Sequence, residues 1–130
     1  MANHFSMSDI ILKEESFKII GVCMEVHRIL GRGFLEIVYK DAIQYDFRKQ
    51  FIPHESEKQY TIAYKEIILP HSFFADFVVY DQIILEIKGC NGLTDEFTRL
   101  ALNYLAVSKC KLALIVNFGK DSLEYKRVVL

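Results

Sequence analysis

Residues 73–88 read FFADFVVYDQIILEIK, and they decide the fold class of this 130-residue chain. Two runs rich in β-branched and aromatic residues, 73–80 and 83–88, flank a short polar turn, which is the pattern of a β-hairpin. Side chains of a strand alternate between the two faces of its sheet. Alternate isoleucine and leucine residues of the second run therefore form one apolar face, while Glu86 and Lys88 share the other. Because the apolar face alone can bury this strand, the two charged residues are not needed for the core.

Asp76 lies on the first of these strands. It can face Glu86 only if the connecting loop has an odd number of residues, since directly opposite residues of an antiparallel pair point to the same side. A three-residue loop at positions 80–82, Tyr-Asp-Gln, would bring the two carboxylates together. A two-residue loop would instead place Asp76 beside Leu85 and separate them.

Two carboxylates and an ammonium on one patch of sheet point to a divalent cation, because such a cluster is costly unless a cation joins it. Mg²⁺ and Mn²⁺ take oxygen ligands and act on phosphate chemistry. Asp76 and Glu86 would then bind the ion, and Lys88 would orient a water or hold the scissile phosphate. The spacing alone leaves an alternative open, a solvated strand face with an unrelated acid, since this pattern occurs often by chance.

Helical periodicity flanks the hairpin on both sides. Apolar residues at spacings of three and four predict a helix over 8–30, with Ser8 as its N-cap. The sequence GRG at 31–33 supplies the positive φ angles that end such a helix, and a second helix is predicted over 34–50. A third helix is predicted over 94–108, with its first residue, a threonine, as N-cap.

The remaining segments predict strands. Alternation over 60–64 and the apolar run 67–69 indicate a strand pair. The run KLALIVNF at 111–118 predicts a strand buried on both faces, and 123–130 a last strand. The order α, α, β, β, β, β, α, β, β predicts a mixed α/β fold, and since nothing marks a linker, we expect one domain over residues 1–130.

Composition excludes several classes. Sixteen Lys and Arg against 17 Asp and Glu give a net charge of −1, which argues against a protein held on a polyanion by bulk electrostatics. Cys23, Cys90 and Cys110 form no CxxC pair, so a secreted disulfide framework or zinc ribbon is not expected. The sequence shows neither a signal peptide nor an apolar run that spans a bilayer. These features favour a cytoplasmic protein with no membrane partner.

The segment GFLEIVY at 33–39 offers a further carboxylate. Glu36 and Tyr39 lie three residues apart and so share one face of the second helix. GRGFLEIVY, followed in order by ADFVV, LEIKG and VNFG, resembles the GxxExxY family of the PD-(D/E)XK nuclease-like superfamily. The resemblance runs from about residue 17 to the C-terminus.

The resemblance implies a restriction-endonuclease-like αβββαβ core, with a central mixed sheet flanked by helices and an extra N-terminal helix. It implies that Asp76 and Glu86 bind Mg²⁺ or Mn²⁺ and that the carbonyl of Ile87 is a further ligand. Lys88 takes the place of the superfamily's catalytic lysine, and Glu36 matches the helical Glu, an auxiliary ligand or base.

The predicted function is metal-dependent hydrolysis of nucleic-acid phosphodiesters, with DNA favoured over RNA. The alternative is a non-catalytic nucleic-acid-binding or protein-assembly module that retains the fold. A core this small would need a homodimer or a protein complex to find its target. Phe74, Phe97 and Leu100 stand where members of the family often have Arg, His and Gln, which implies fewer donors for a substrate phosphate.

Overall fold

The computed structural model describes residues 11–130. In chain order the elements are α1 (Lys13–Leu30), α2 (Glu36–Lys49), β1 (His54–Tyr60), β2 (Ala63–Tyr64), β3 (Ile67–Ile68), β4 (Phe73–Val79), β5 (Ile83–Lys88), α3 (Asp95–Ser108), β6 (Leu112–Asn117) and β7 (Glu124–Val128). The predicted N-cap Ser8 lies outside the described residues. Thr94 is the N-cap of α3, as predicted, with an extended backbone, but its side chain makes no capping hydrogen bond.

A mixed sheet in the order β1-β4-β5-β6-β7 forms the centre of the described part of the chain. Strands β5 and β6 are parallel, and the neighbours on either side pair antiparallel. A parallel pair needs a crossover connection, and α3 supplies it. The succession α2, β1, β4, β5, α3, β6 is the predicted αβββαβ core, with α1 as the extra N-terminal helix. None of the helices within residues 11–130 combines the length and apolar character needed to cross a bilayer.

Helices cover both faces of the sheet and create two apolar clusters. Helices α1 and α2 pack on the face that carries alternate β5 residues such as Leu85 and Ile87. Helix α3 packs on the opposite face, where Ile84 lies. Every residue of β6 is buried, as predicted for a strand covered on both sides.

The strand prediction over 60–69 was wrong in one respect. The two predicted strands exist as the short hairpin β2–β3, but this hairpin forms a separate two-stranded sheet with exposed residues. The central sheet begins earlier, at β1, whose sequence HESEKQY is polar. Because β1 is an edge strand that is mostly exposed, it lacks the apolar alternation that marks a strand in sequence.

The glycine corner between α1 and α2 is confirmed. Gly31 and Gly33 have φ angles of 70° and 106°, which favour glycine. The Tyr39 hydroxyl donates to the Gly31 carbonyl at 2.6 Å and accepts from the Phe34 amide at 3.2 Å. Its ring stacks on Phe118 with centroids 4.5 Å apart. The tyrosine of the GxxExxY segment thus fastens the corner to the core.

The loop that follows β5 is held by a buried amide on β6. Asn117 is fully buried, and its side chain accepts from the Cys90 amide and donates to the Cys90 carbonyl and to Glu124. A Cβ atom at Gly119 would lie 2.3 Å from the Cys90 carbonyl oxygen. Glycine is therefore required at 119, and the loop is fixed just beyond the end of β5.

Candidate active site

The hairpin β4–β5 has the loop that the sequence analysis required. Val79 pairs with Ile83, so residues 80–82 form a three-residue connection. Continued along the strands, this register places Asp76 opposite Glu86. The predicted three-residue loop is confirmed.

The two strands separate at Asp76 and Glu86, and the carboxylates fill the gap. The last pair before it is Phe77 with Leu85. Beyond that pair, the Asp76 amide donates to Glu86 Oε2 at 2.8 Å, and the Ile87 amide donates to Asp76 Oδ2 at 2.7 Å. Each carboxylate thus binds main chain of the opposite strand, so both side chains are fixed between β4 and β5.

Strand β4 is also irregular on its other side. The ladder with β1 is interrupted at Asp76 and the residue opposite, Glu57, which has a φ angle of 51°. Ala75 and Val78 are three residues apart yet pack in the same cluster under α3, so the regular alternation of faces shifts between them. An interrupted strand pairing and a residue in a sparsely populated backbone region are features that concentrate at functional sites.

Glu86 is a buried acid with an altered proton affinity. Only 7% of the surface of Glu86 is exposed. Burial, followed by the negative charge of Asp76, raises the pKa of Glu86 to about 8, against the opposing effect of Lys88 and Lys40. Desolvation and a like charge both disfavour the ionised form. A divalent ion bound here would counter both effects, because its positive charge would attract the ionised Glu86 and neutralise its repulsion from Asp76.

Two residues that the sequence analysis did not identify complete the charge cluster. Lys40 on α2 places its Nζ 3.2 Å from Asp76 Oδ1 and 2.8 Å from Glu57 Oε1. Lys40 follows Glu36 by four residues, so the two share a helix face, which was the available signal. Glu57 gave no signal, since it lies within the polar stretch of β1.

Lys88 lies on the same side of the sheet as Glu86, as predicted. Both line a small cavity of about 70 Å³, with Phe97 and Leu100 of α3 on its far wall. The Lys88 Nζ is 5.1 Å from the centroid of the Phe97 ring, within the range of a cation–π contact. The side chains at 97 and 100, which line this cavity with Lys88, are apolar and donate no hydrogen bonds.

Glu36 reaches the end of β5 from helix α2. It is the first residue of α2 and is exposed, and its Oε2 accepts from the Gly89 amide at 2.9 Å. The structure thus connects Glu36 to the residue that follows Lys88, whereas Asp76 and Glu86 are connected directly to each other's strands.

The donor set suits a hard divalent cation. Within residues 11–130 no group of three or more His, Cys, Asp or Glu side chains is arranged to hold a metal. An ion would therefore rest on Asp76, Glu86 and main-chain or solvent oxygens. The amide and carbonyl of one strand residue point to the same side, and the Ile87 amide binds Asp76 on β4, so strand geometry turns the Ile87 carbonyl towards β4 as well. Few carboxylates plus water and substrate phosphate is the usual environment of Mg²⁺ at nucleotide sites.

The mixed sheet, the helices on its two faces and the pair of acids on adjacent strands together define a nuclease-like α/β domain. The sequence model of the PD-(D/E)XK nuclease superfamily matches residues 13–128. The chain belongs to this superfamily, whose nucleases act on nucleic acid and generally use divalent metal ions. Comparison with curated proteins gave no significant match.

The fold is similar to that of a solved structure described as SSO0001. The two chains are 17% identical and superpose with a TM-score of 0.59, over 91% of this chain and 59% of the other. The chain therefore spans about 59% of the length of SSO0001. At this identity the likeness concerns the fold, and it agrees with the restriction-endonuclease-like architecture predicted from the sequence.

Proposed function

We propose that this protein is a Mg²⁺- or Mn²⁺-dependent nuclease of the GxxExxY type, formed by one domain over residues 1–130, that hydrolyses nucleic-acid phosphodiesters. The observation that carries the proposal is the pair of reciprocal hydrogen bonds between β4 and β5. The Asp76 amide binds Glu86 Oε2, and the Ile87 amide binds Asp76 Oδ2. Acids that are held in this way are preorganised for a cation rather than solvated at random.

In this proposal Asp76, Glu86 and the Ile87 carbonyl hold the ion. When bound, the ion would polarise the phosphate, activate a water molecule and neutralise the charge that develops on the phosphorus oxygens. Glu86 must release its proton to bind, and its raised pKa means that the proton is held at neutral pH in the metal-free protein. Metal binding should therefore release a proton.

Lys88 would hold the attacking water or the scissile phosphate. Its ammonium lies over the Phe97 ring, and its side chain lines the same cavity as Glu86. Glu36 serves as the auxiliary acid of the proposed site. Its hydrogen bond to the Gly89 amide fixes the chain immediately after Lys88.

The proposed substrate is DNA rather than RNA, and the proposed location is the cytoplasm.

The net charge of −1 is too small in magnitude and of the wrong sign for the protein to bind a nucleic acid through bulk charge. A homodimer or a protein complex would extend the contact surface, which a chain of this size does not offer alone.

The test is cleavage of plasmid, single-stranded DNA and RNA with Mn²⁺ or Mg²⁺, beside calorimetric titration of the metal. Asp76→Ala should abolish metal binding and cleavage, and Lys88→Ala should abolish cleavage while metal binding persists. Asp41→Ala and Lys49→Ala, which change exposed residues of α2, are the matched controls.

Two outcomes would contradict the proposal. If wild-type protein binds no divalent ion and cleaves nothing, the carboxylates are structural. If it binds nucleic acid without cleaving it under any metal, the non-catalytic binding module is the better description. The apolar side chains of Phe97 and Leu100 beside Lys88 are the feature that would then account for the missing activity.

A further inference from the structure

The ammonium of Lys40 occupies the oxygen of Asp76 that the main chain leaves available. Asp76 Oδ2 accepts from the Ile87 amide at 2.7 Å, and Oδ1 faces Lys40 Nζ at 3.2 Å. The side chains of Lys40 and Asp76 are only 18% and 16% exposed. A carboxylate this sheltered is costly to leave without a counter-charge, so the pair stabilises the site.

A divalent ion that binds Asp76 would meet Lys40 at the same atom. Two cations on one oxygen repel each other, strongly so where water is partly excluded. Lys40 has a second partner, since its Nζ lies 2.8 Å from Glu57 Oε1, closer than Asp76. The long, flexible lysine side chain could therefore leave Asp76 and keep an ion pair with Glu57.

We propose that Lys40 is the built-in counter-cation of Asp76, and that a divalent ion and Lys40 compete for Asp76 Oδ1. This inference rests on the proposed function, because it takes Asp76 as a metal ligand. Lys40 acts as a positioning residue: it holds Asp76 in place in the metal-free protein and moves to Glu57 when the ion binds. The site is thereby kept assembled without metal, at the cost of weaker metal binding.

The experiment is calorimetric titration of Mn²⁺ into wild-type protein, Lys40→Met, Lys40→Arg and the control Lys49→Met, which removes an exposed charge from the same helix. Lys40→Met should bind Mn²⁺ about fivefold more tightly than wild type, the range expected from removal of one partly exposed ion pair. Lys40→Arg keeps the charge and should stay close to wild type, as should Lys49→Met.

A second readout needs no metal. The melting temperature of metal-free Lys40→Met should fall, and Mn²⁺ should raise it by more than it raises that of wild type. A double-mutant cycle with Asp76→Asn, followed by urea unfolding, should show that the two side chains are coupled. If Lys40→Met does not fold, Lys40→Gln replaces it in both measurements.

The outcomes separate this inference from the proposed function. If wild type binds Mn²⁺ and Lys40→Met binds it no more tightly, the competition is refuted while the proposed function stands. A double-mutant cycle with no coupling would likewise refute the role of Lys40 alone. If neither protein binds any divalent ion, both proposals are refuted together.

Discussion

Replacement of Glu86 by Gln should change how the stability of the protein depends on pH. Glu86 is buried beside Asp76, and its pKa rises from 4.5 to about 8. Gln has nearly the same shape, and its side-chain oxygen can still accept from the Asp76 amide, so the variant removes the titrating proton and keeps the contact.

The sign follows from proton binding in the two states. The unfolded chain releases the Glu86 proton near pH 4.5, whereas the folded protein keeps it until about pH 8. Between these values the folded state binds more protons, so the free energy of unfolding falls as pH rises. At about 1.4 kcal/mol per pH unit, the loss across this window is about 5 kcal/mol. It is complete above pH 8.

The assay is urea unfolding at half-unit steps from pH 5 to 9. Wild type should lose stability across this range more steeply than Glu86→Gln, and Glu66→Gln, which changes an exposed glutamate, should follow wild type. Mn²⁺ at pH 8 should restore stability to wild type but not to Glu86→Gln. Parallel pH profiles for wild type and Glu86→Gln would show that Glu86 is already ionised near neutral pH and would refute the reasoning.

Three further substitutions test neighbouring features. Phe97→Leu removes the ring under Lys88 and should slow cleavage several-fold with unchanged Mn²⁺ affinity in calorimetry. If the cleavage rate and the Mn²⁺ affinity fall equally, the ring supports metal binding rather than Lys88. Gly119→Ala places a Cβ against main chain and should cost about 3 kcal/mol or more in urea unfolding, whereas the control Gly92→Ala meets no atom within 4 Å and should change little. Tyr39→Phe removes the hydrogen bonds to the glycine corner and should cost about 1 to 2 kcal/mol; unchanged stability would mean that solvent replaces them.

Local rules predicted the hairpin and its contents. The alternation of strand side chains and the odd length of the loop are properties of neighbouring residues, so they could be read from residues 73–88 alone. The same holds for the helix ends at Gly31 and Gly33, where positive φ angles select glycine. Predicting these features does not require knowing how the helices and strands pack against one another.

Contacts between distant elements could not be predicted in this way. Lys40 reaches Asp76 across 36 positions of sequence, from a helix whose orientation on the sheet no local pattern reveals. Glu36 was predicted as an auxiliary ligand or base, and its hydrogen bond to the Gly89 amide is a contact across 53 positions of sequence that no local pattern indicates. Strand β1 escaped prediction because an exposed edge carries polar residues that look like a loop.

The reciprocal bonds of Asp76 and Glu86 have a consequence for how such chains can diverge. Both acids are oriented by main-chain N–H groups, and every amino acid except proline supplies one. The hydrogen bond at position 87 therefore makes no demand on the side chain, which packs in the core, so other apolar residues can rebuild that core while the two acids keep their geometry. A site whose acids are held by main-chain groups tolerates substitution of the surrounding residues. This is expected of folds that are still recognisable when the sequences of their members are no longer similar.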